Sequence, residues 1–348
     1  MTPAARWSAT VAAGIVAGGA IQAAGGPLPW MIGPIFAFAG ANAVHAGLHV
    51  PRAFRYAGQL LVGVALGLYF TAAVLAQVRG LLGWIALATA LSLCAGFVAS
   101  RVLMRVGRVD PVTAFFASTV GGAAEMANQA ERHGARVDQV AASQVTRVLL
   151  VVLLLPLGFQ LAGLHGDDVY YPVAVPLQPG PLAALLAMSA LAGGAAHRLR
   201  IPNGWLFGPL LLGAGLTSSG HALSSVPAWL VNLGQWLIGC SLGSRFTPDF
   251  FRGAPRFLLG VLASGCVLIL LCLGSASAVA WLSGIPWATM ALATAPGGLA
   301  EMGLTAKLLK LGVPVVTAFH IVRLAVVVTT AAPGFRLLRR LAPSSPPP

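Results

Sequence analysis

The chain has 348 residues, of which 57% are hydrophobic and only 8% charged, with 42 glycines and 24 prolines. A soluble domain carries roughly 25% charged residues, so this composition excludes a water-soluble globule and calls for a polytopic membrane protein. The net charge of +13 does not mark a nucleic-acid binder, because the 21 Lys and Arg stand in ones to threes between apolar runs; with no dense basic patch or recognition element they read as loop charges beside anionic lipid.

A spanning helix needs about 20 mostly apolar residues. Arg6 ahead of the short apolar stretch from Ser8 to Ala24 resembles a signal peptide. Its AGGA at 17–20 returns at 192–195, however, and the run at 8–25 is read as the first spanning helix. Further runs follow near 29–47, 54–74, 80–104, 111–129 and 139–162, and then near 182–198, 204–221, 227–246, 255–282, 286–306 and 313–335. The second set repeats the first. PLPWMIGP at 27–34 becomes PNGWLFGP at 202–209, GQLLVGVALG at 58–67 becomes GQWLIGCSLG at 234–243, and STVGGAAEM at 118–126 becomes TAPGGLAEM at 294–302. One unit of about 175 residues is therefore written twice, as membrane repeats at 8–165 and 180–337, before a Pro-rich tail at 338–348 expected to be disordered.

Charge placement bears on how these runs cross. If every run spans, Lys and Arg divide almost evenly between the two sides, and Arg198, Arg200, Arg245, Arg252 and Arg256 all fall outside. If the fifth run of each copy enters and leaves by the same face, the second copy is inverted relative to the first. Only Arg79, Lys307 and Lys310 then lie outside, with Arg147 and Arg323 within the membrane and the Asp167-Asp168 loop outside. The positive-inside rule favours this arrangement. The expected fold is all-α, two inverted repeats of five spanning helices, each with a re-entrant or broken helix, and both termini cytoplasmic.

The broken helix is where chemistry is expected. Irregular backbone at membrane depth is tolerated only where protein or a watery cavity satisfies it, and Gly121-Gly122 and Gly297-Gly298, the latter after Pro296, are suited to such a break. Inverted repeats with discontinuous helices meeting near the midplane are how many secondary transporters build a site, and a free helix N-terminus there attracts anions. Glu125 and Glu301 follow the glycines, and Arg147 and Arg323 are also repeat-equivalent. Ionisable groups in lipid are costly and mark function or pairing. The glutamates have two readings: a proton or cation relay, or a structural lock neutralised by arginine within or across copies. The arginines are counter-ions for an anionic solute or permanent partners of the glutamates. Ser118, Thr119 and Thr294 precede the glycines but are expected to bond their own backbone. Gln144 and His320 are repeat-equivalent neighbours, with packing the expected role of the histidine.

Pro34 and Pro209, each in a W-x-x-G-P unit, interrupt spanning helices, either as a hinge or backbone-carbonyl ligand for a moving part or as a packing bend. Gly63 with Gly67, and Gly239 with Gly243, allow close helix approach, and Gln59 and Gln235 on the same helices are candidates to reach a cavity. Trp281, Trp287, Tyr170 and Tyr171 suit an interfacial belt. Cys94, Cys240, Cys266 and Cys272 sit in apolar runs and read as small buried hydrophobes, without disulfide or metal spacing. No Walker loop, Gly-x-Ser-x-Gly elbow or Rossmann fingerprint occurs, and His45 and His49, four apart, lack further ligands. No enzyme, cofactor or metal site is expected.

The paired motifs LPWMIGP and NGWLFGP, GGAAEM and APGGLAEM resemble the AbrB duplication-domain family of bacterial inner-membrane proteins, over roughly 10–335. The resemblance implies an inner-membrane location and a fold of one or two copies of the domain. Its members have been labelled both ammonia monooxygenases and regulators of gene expression. Neither label has direct support here: the seven histidines are dispersed, where an oxygenase clusters His and carboxylate ligands, and any effect on transcription would be indirect. The leading expectation is a secondary transporter or exporter of a small polar or anionic solute. Gly121, Gly122, Glu125, Arg147, Gly297, Gly298, Glu301 and Arg323 would form its solute- or ion-binding site. The alternative is a non-transporting membrane sensor or regulator, and a membrane oxidoreductase ranks behind both. A small solute and the bilayer are the expected partners, nucleic acid is not, and a homodimer stays open.

Overall fold

The computed structural model of the chain describes residues 3–44, 48–166, 170–246 and 255–341; His45, the Asp167-Asp168 loop and the tail from Ala342 lie outside them. The described residues hold fifteen α-helices and no strand. The first half comprises α1 (Pro3–Ala23), α2 (Pro29–Ala43), α3 (Arg52–Gly67), α4 (Ala72–Gly80), α5 (Leu82–Gly107), α6 (Pro111–Ser118), α7 (Ala123–Arg132) and α8 (Val137–Leu161). The second comprises α9 (Pro179–Arg198), α10 (Gly204–Ser218), α11 (Ala228–Gly243), α12 (Pro255–Ser283), α13 (Trp287–Thr294), α14 (Leu299–Leu309) and α15 (Val313–Leu341). The last helix runs into the segment expected to be a disordered tail.

The protein is a polytopic membrane-helical protein. Five helices are long and apolar enough to cross a bilayer, namely α5, α8, α9, α12 and α15 as far as Ala331, and α3 with α4, bent by 91°, adds a sixth if the pair is one span. Length and composition thus qualify fewer helices than the ten crossings expected from hydropathy. The shortfall lies in α1, which is long enough at 21 residues but not apolar enough, and in the second and third helices of each half. Helices α2 and α10 have 15 residues and α3 and α11 have 16, about 22–24 Å at 1.5 Å per residue, less than the hydrocarbon thickness.

These four short helices pack on one another: α3 contacts α10, α2 contacts α11, and α3 crosses α11. Their small-residue motifs explain the fit. A Cβ on Gly63 would lie 2.5 Å from the Leu206 carbonyl oxygen and one on Gly67 2.6 Å from that of Leu210; in the other half Gly239 meets the Met31 oxygen at 2.4 Å and Gly243 that of Ile35 at 2.6 Å. No side chain fits at these four points, so helix backbones touch directly. The longer helices frame this centre. Helix α5 packs along α12, α1 along α2, and α9 along α10.

Large apolar side chains are exposed on the outer helices, as lipid requires: Val16 is 71%, Leu191 75% and Trp281 85% exposed. Tyr171 is also exposed, Trp287 is 38% exposed, and Tyr170 packs partly buried against the core. Among the cysteines only Cys240 and Cys272 are buried; Cys94 and Cys266 are exposed on α5 and α12, and all four are free. An apolar run cannot distinguish a core-facing from a lipid-facing position, and that is where the expectation for those two failed.

Candidate functional site: a cavity at two broken helices

The fifth run of each half is two short helices separated by an extended turn. Asp110 caps the start of α6, its carboxylate accepting from the Thr113 N–H at 2.9 Å, with Pro111 at the first helical position. Helix α6 ends where Thr119 turns extended (φ −62°, ψ 131°), and α7 restarts after Gly122. In the second half α13 ends at Ala295 (φ −50°, ψ 139°), the residue before Pro296, a position that proline keeps out of the helical region.

Each glycine of the pair has a separate task. A Cβ on Gly121 would lie 2.8 Å from Met126, and one on Gly297 2.9 Å from Met302. Both methionines are fully buried, so the first glycine makes room for a core side chain five residues on. A Cβ on Gly122 would meet a carboxylate oxygen of Glu125 at 2.0 Å, and one on Gly298 an oxygen of Glu301 at the same distance. The second glycine makes room for the glutamate, which folds back over the N-terminus of its own helix. Gly-Gly-x-x-Glu-Met is thus a packing code, with the carboxylate placed where the helix dipole is positive.

The arginines serve the opposite ends. Arg147 donates to the Thr119 carbonyl at 2.9 Å and the Gly121 carbonyl at 3.3 Å. Arg323 donates to the carbonyls of Thr294 (3.2 Å), Ala295 (2.7 Å) and Gly297 (3.1 Å). Gln144 Nε2 adds bonds to Phe116, Ala117 and Thr119 at 2.9–3.2 Å. At the equivalent place His320 Nε2 meets the Leu292 carbonyl at 3.0 Å, and its Nδ1 lies 3.0 Å from Arg323 Nη2. Arginine only donates, so Nδ1 accepts and Nε2 carries the hydrogen. These partners on both ring nitrogens hold the imidazole in one tautomer. A direct Glu–Arg pair was one expectation; instead the arginines cap helix C-termini and the glutamates lie at helix N-termini, each opposing an end of a broken helix.

Thr119 and Thr294 bond their own helix as expected, Thr294 also reaches a neighbouring helix, and Ser118 departs from the expectation. Thr119 Oγ1 donates to Phe115 O at 2.8 Å, and Thr294 Oγ1 to the carbonyls of Cys272 and Met290 at 3.1 Å. Ser118 Oγ is buried without a partner.

Both breaks open on one cavity of about 110 Å³, room for a few waters or one small solute. Its wall includes Gly121, Gly122, Arg147, Gly297, Gly298 and Glu301, so six of the eight residues singled out in the sequence meet there. Glu125 and Arg323 are not in that wall. Gln59 is in it, as anticipated, whereas Gln235 lines a separate cavity of about 400 Å³ with Gln22, Trp30, Asn232 and Lys307.

Sequence reasoning missed Arg55, Asn203 and Arg245, which also line the central cavity. Asn203 Oδ1 accepts from Arg55 Nη2 at 3.2 Å and from Gln59 Nε2 at 3.4 Å, and Arg55 and Arg245 lie within electrostatic reach of Glu301. The repeat hid them. Their counterparts in the other copy are Val231, Leu28 and Tyr69, and matching the copies draws attention to what they share. The places where they differ carry the signal. Among the described residues no group of three His, Cys, Asp or Glu comes together as a metal site.

A family profile described as "Transition state regulatory protein AbrB" matches residues 30–339. The chain is similar to "Uncharacterized protein YhjN" of Bacillus subtilis (strain 168), 29% identical over 308 residues that cover 84% of this chain and 80% of that one. It is also similar to "Putative regulator AbrB" of Escherichia coli (strain K12), 28% identical over 323 residues and 90% of each chain.

Proposed function

Because this chain belongs to the AbrB family, whose known names leave the activity open, we propose from the site itself that it is a secondary transporter or exporter of a small polar or anionic solute, coupled to protons or cations. One observation carries the reading: two broken helices converge on a single polar cavity in a membrane-helical protein, with Glu301 in its wall. A carboxylate there, within electrostatic reach of Arg55 and Arg245, takes up or releases a proton as solute enters and leaves. Arg147 and Arg323 keep the backbone breaks intact rather than exchanging partners in the cycle.

The inverted five-plus-five topology belongs to this proposal, with both termini cytoplasmic and the bacterial inner membrane as location. Matched features of the halves support it. Gln59 in the central cavity and Gln235 in the second cavity are repeat-equivalent, so the openings occupy corresponding positions, which inverted copies place on opposite sides of the membrane. Rocking of one set of helices against the other would open them in turn. On this reading the protein is not an enzyme and has no nucleic-acid partner.

The test is charge movement in proteoliposomes on a solid-supported membrane, challenged with amino acids, organic acids and amines across a pH step. A solute-dependent current in wild type that the double variant Glu125→Gln, Glu301→Gln loses while staying folded supports transport. The regulatory wording of the family description favours a second reading, a non-transporting sensor. Silence across the panel from well-folded protein, with solute binding retained, points to that one.

A further inference from the structure

The second cavity sits at the same place in the repeat as the central one, yet its charged group comes from elsewhere. Arg55, Gln59 and Asn203 of the central wall correspond to Val231, Gln235 and Leu28, and all three of these line the second cavity. Two of the three polar positions have thus become apolar. A cation returns from a different element: Lys307 on α14, where the first copy has Glu131. Lys307 is half-buried and is the one ionisable residue in that wall. Among the described residues no carboxylate pairs with it. Beside it in the wall stand the amide side chains of Asn232 and Gln235 and the ring of Trp30. A cation held at membrane depth without a counter-ion is costly, and amide N–H groups beside it add donors. The cavity, about 400 Å³, is larger than the central one.

We propose that the second cavity is a binding site for a small anion with an oxygen-bearing head group, carboxylate or phosphate, held by the Lys307 ammonium. One cation matches one negative charge, and the remaining volume accepts an apolar tail against Leu28, Val231 and Leu304. Such a head group comes either from a soluble carboxylate or from a phospholipid. The site stands without any flux. Only its role rests on the transport reading: an anion would then meet a cation in each cavity, Arg55 and Arg245 in one and Lys307 in the other. The repeat concealed this, because the two copies supply their cations from different helices.

Lys307 and Lys310 are the chain's only lysines, so acylation by an N-hydroxysuccinimide ester reports the site directly. It is read by mass spectrometry on the purified full chain in neutral detergent, with the exposed Lys310 as internal reference. Tetramethylammonium propionate is expected to slow acylation of Lys307 by ~10-fold relative to the chloride salt at equal ionic strength, and to leave Lys310 unchanged. Asn232→Leu should raise the propionate concentration for half-protection by ~2–10-fold, the loss of one hydrogen bond. Protection by dioctanoyl phosphatidylglycerol and not by propionate keeps the site and assigns it to a lipid head group. No protection of Lys307 by either probe in folded protein overturns the proposal, as does equal protection of Lys310. Protection by propionate without flux of any solute leaves the site standing and removes the transport reading. Flux of an anion that leaves Lys307 unprotected does the reverse.

Discussion

Arg323 holds the second break together, and replacing it with methionine measures how much. The side chain is 6% exposed and gives four hydrogen bonds, three to carbonyls and one to His320 Nδ1, at 2.7–3.2 Å. Methionine is of similar length and donates nothing. Each buried acceptor left unpaired costs about 1–3 kcal/mol. The Gly297 carbonyl lies at the cavity wall, where water can replace the guanidinium, so the carbonyls of Thr294 and Ala295 and the ring nitrogen carry most of the cost. Removing a buried charge returns part of its desolvation penalty. The net expectation is a loss of about 3–5 kcal/mol, a large share of a total stability of roughly 5–15 kcal/mol. Arg323→Lys keeps the charge and up to three donors without the planar fork, and should lose about 1–2 kcal/mol. Glu301→Gln, at the edge of the cavity, should lose less than about 1 kcal/mol. The assay is unfolding of purified protein in mixed micelles titrated with a denaturing detergent, followed by the fluorescence of its eight tryptophans. If Arg323→Met unfolds within about 1 kcal/mol of wild type, or if Glu301→Gln loses as much as it does, the separation of structural arginine from working glutamate is wrong.

Two glycines should respond in opposite ways. Gly298→Ala puts a methyl against the movable end of Glu301 on a backbone (φ −82°, ψ 156°) that any residue adopts, so flux should fall while folded yield holds. Gly239→Ala drives a methyl to 2.4 Å from a carbonyl oxygen of α2, where only helix separation relieves it, and should cost about 1–3 kcal/mol or more and reduce abundance; equal yields from the two would contradict the packing account. His320→Gln should retain flux and the wild-type pH profile, because Gln144 already performs the same carbonyl capping in the other half; an altered pH profile would restore the histidine as a proton carrier. Lys310→Cys, at an exposed position after α14, should label from the periplasmic side of intact cells in a background without Cys94 and Cys266, and labelling only after permeabilisation would remove the inverted arrangement of the second half.

Much of the site was legible because the chain states it twice. The Gly-Gly pairs, the glutamates and the arginines recur at a constant offset, and polar groups in apolar runs are few enough to stand out. The breaks at 119–122 and 295–298 follow from glycine and, in the second copy, from Pro296. What each residue does was not legible. Glutamate and arginine in one apolar region suggest mutual pairing, yet the unsatisfied ends of four half-helices compete for the same charges, and carbonyls and N-termini in fixed positions prevail. That competition exists only once the helices are broken in space. Arg55 and Arg245 sit beside loops in the sequence and read as membrane-surface charges; the shortness of α3 and α11 brings them to the cavity. The helices are shorter than the runs for the same reason, because hydropathy runs across caps and turns that shorten α2, α3, α10 and α11.

Glu301 as the coupling residue is tested most directly by solute accumulation. Proteoliposomes with an imposed pH gradient would be loaded with radiolabelled solute identified from the current panel, and the final internal-to-external ratio compared for wild type, Glu301→Gln and Glu125→Gln. The expected result is accumulation above unity by wild type and a ratio of one for Glu301→Gln, with Glu125→Gln, whose side chain lies outside the cavity wall, retaining accumulation. Accumulation by Glu301→Gln equal to wild type would contradict the mechanism.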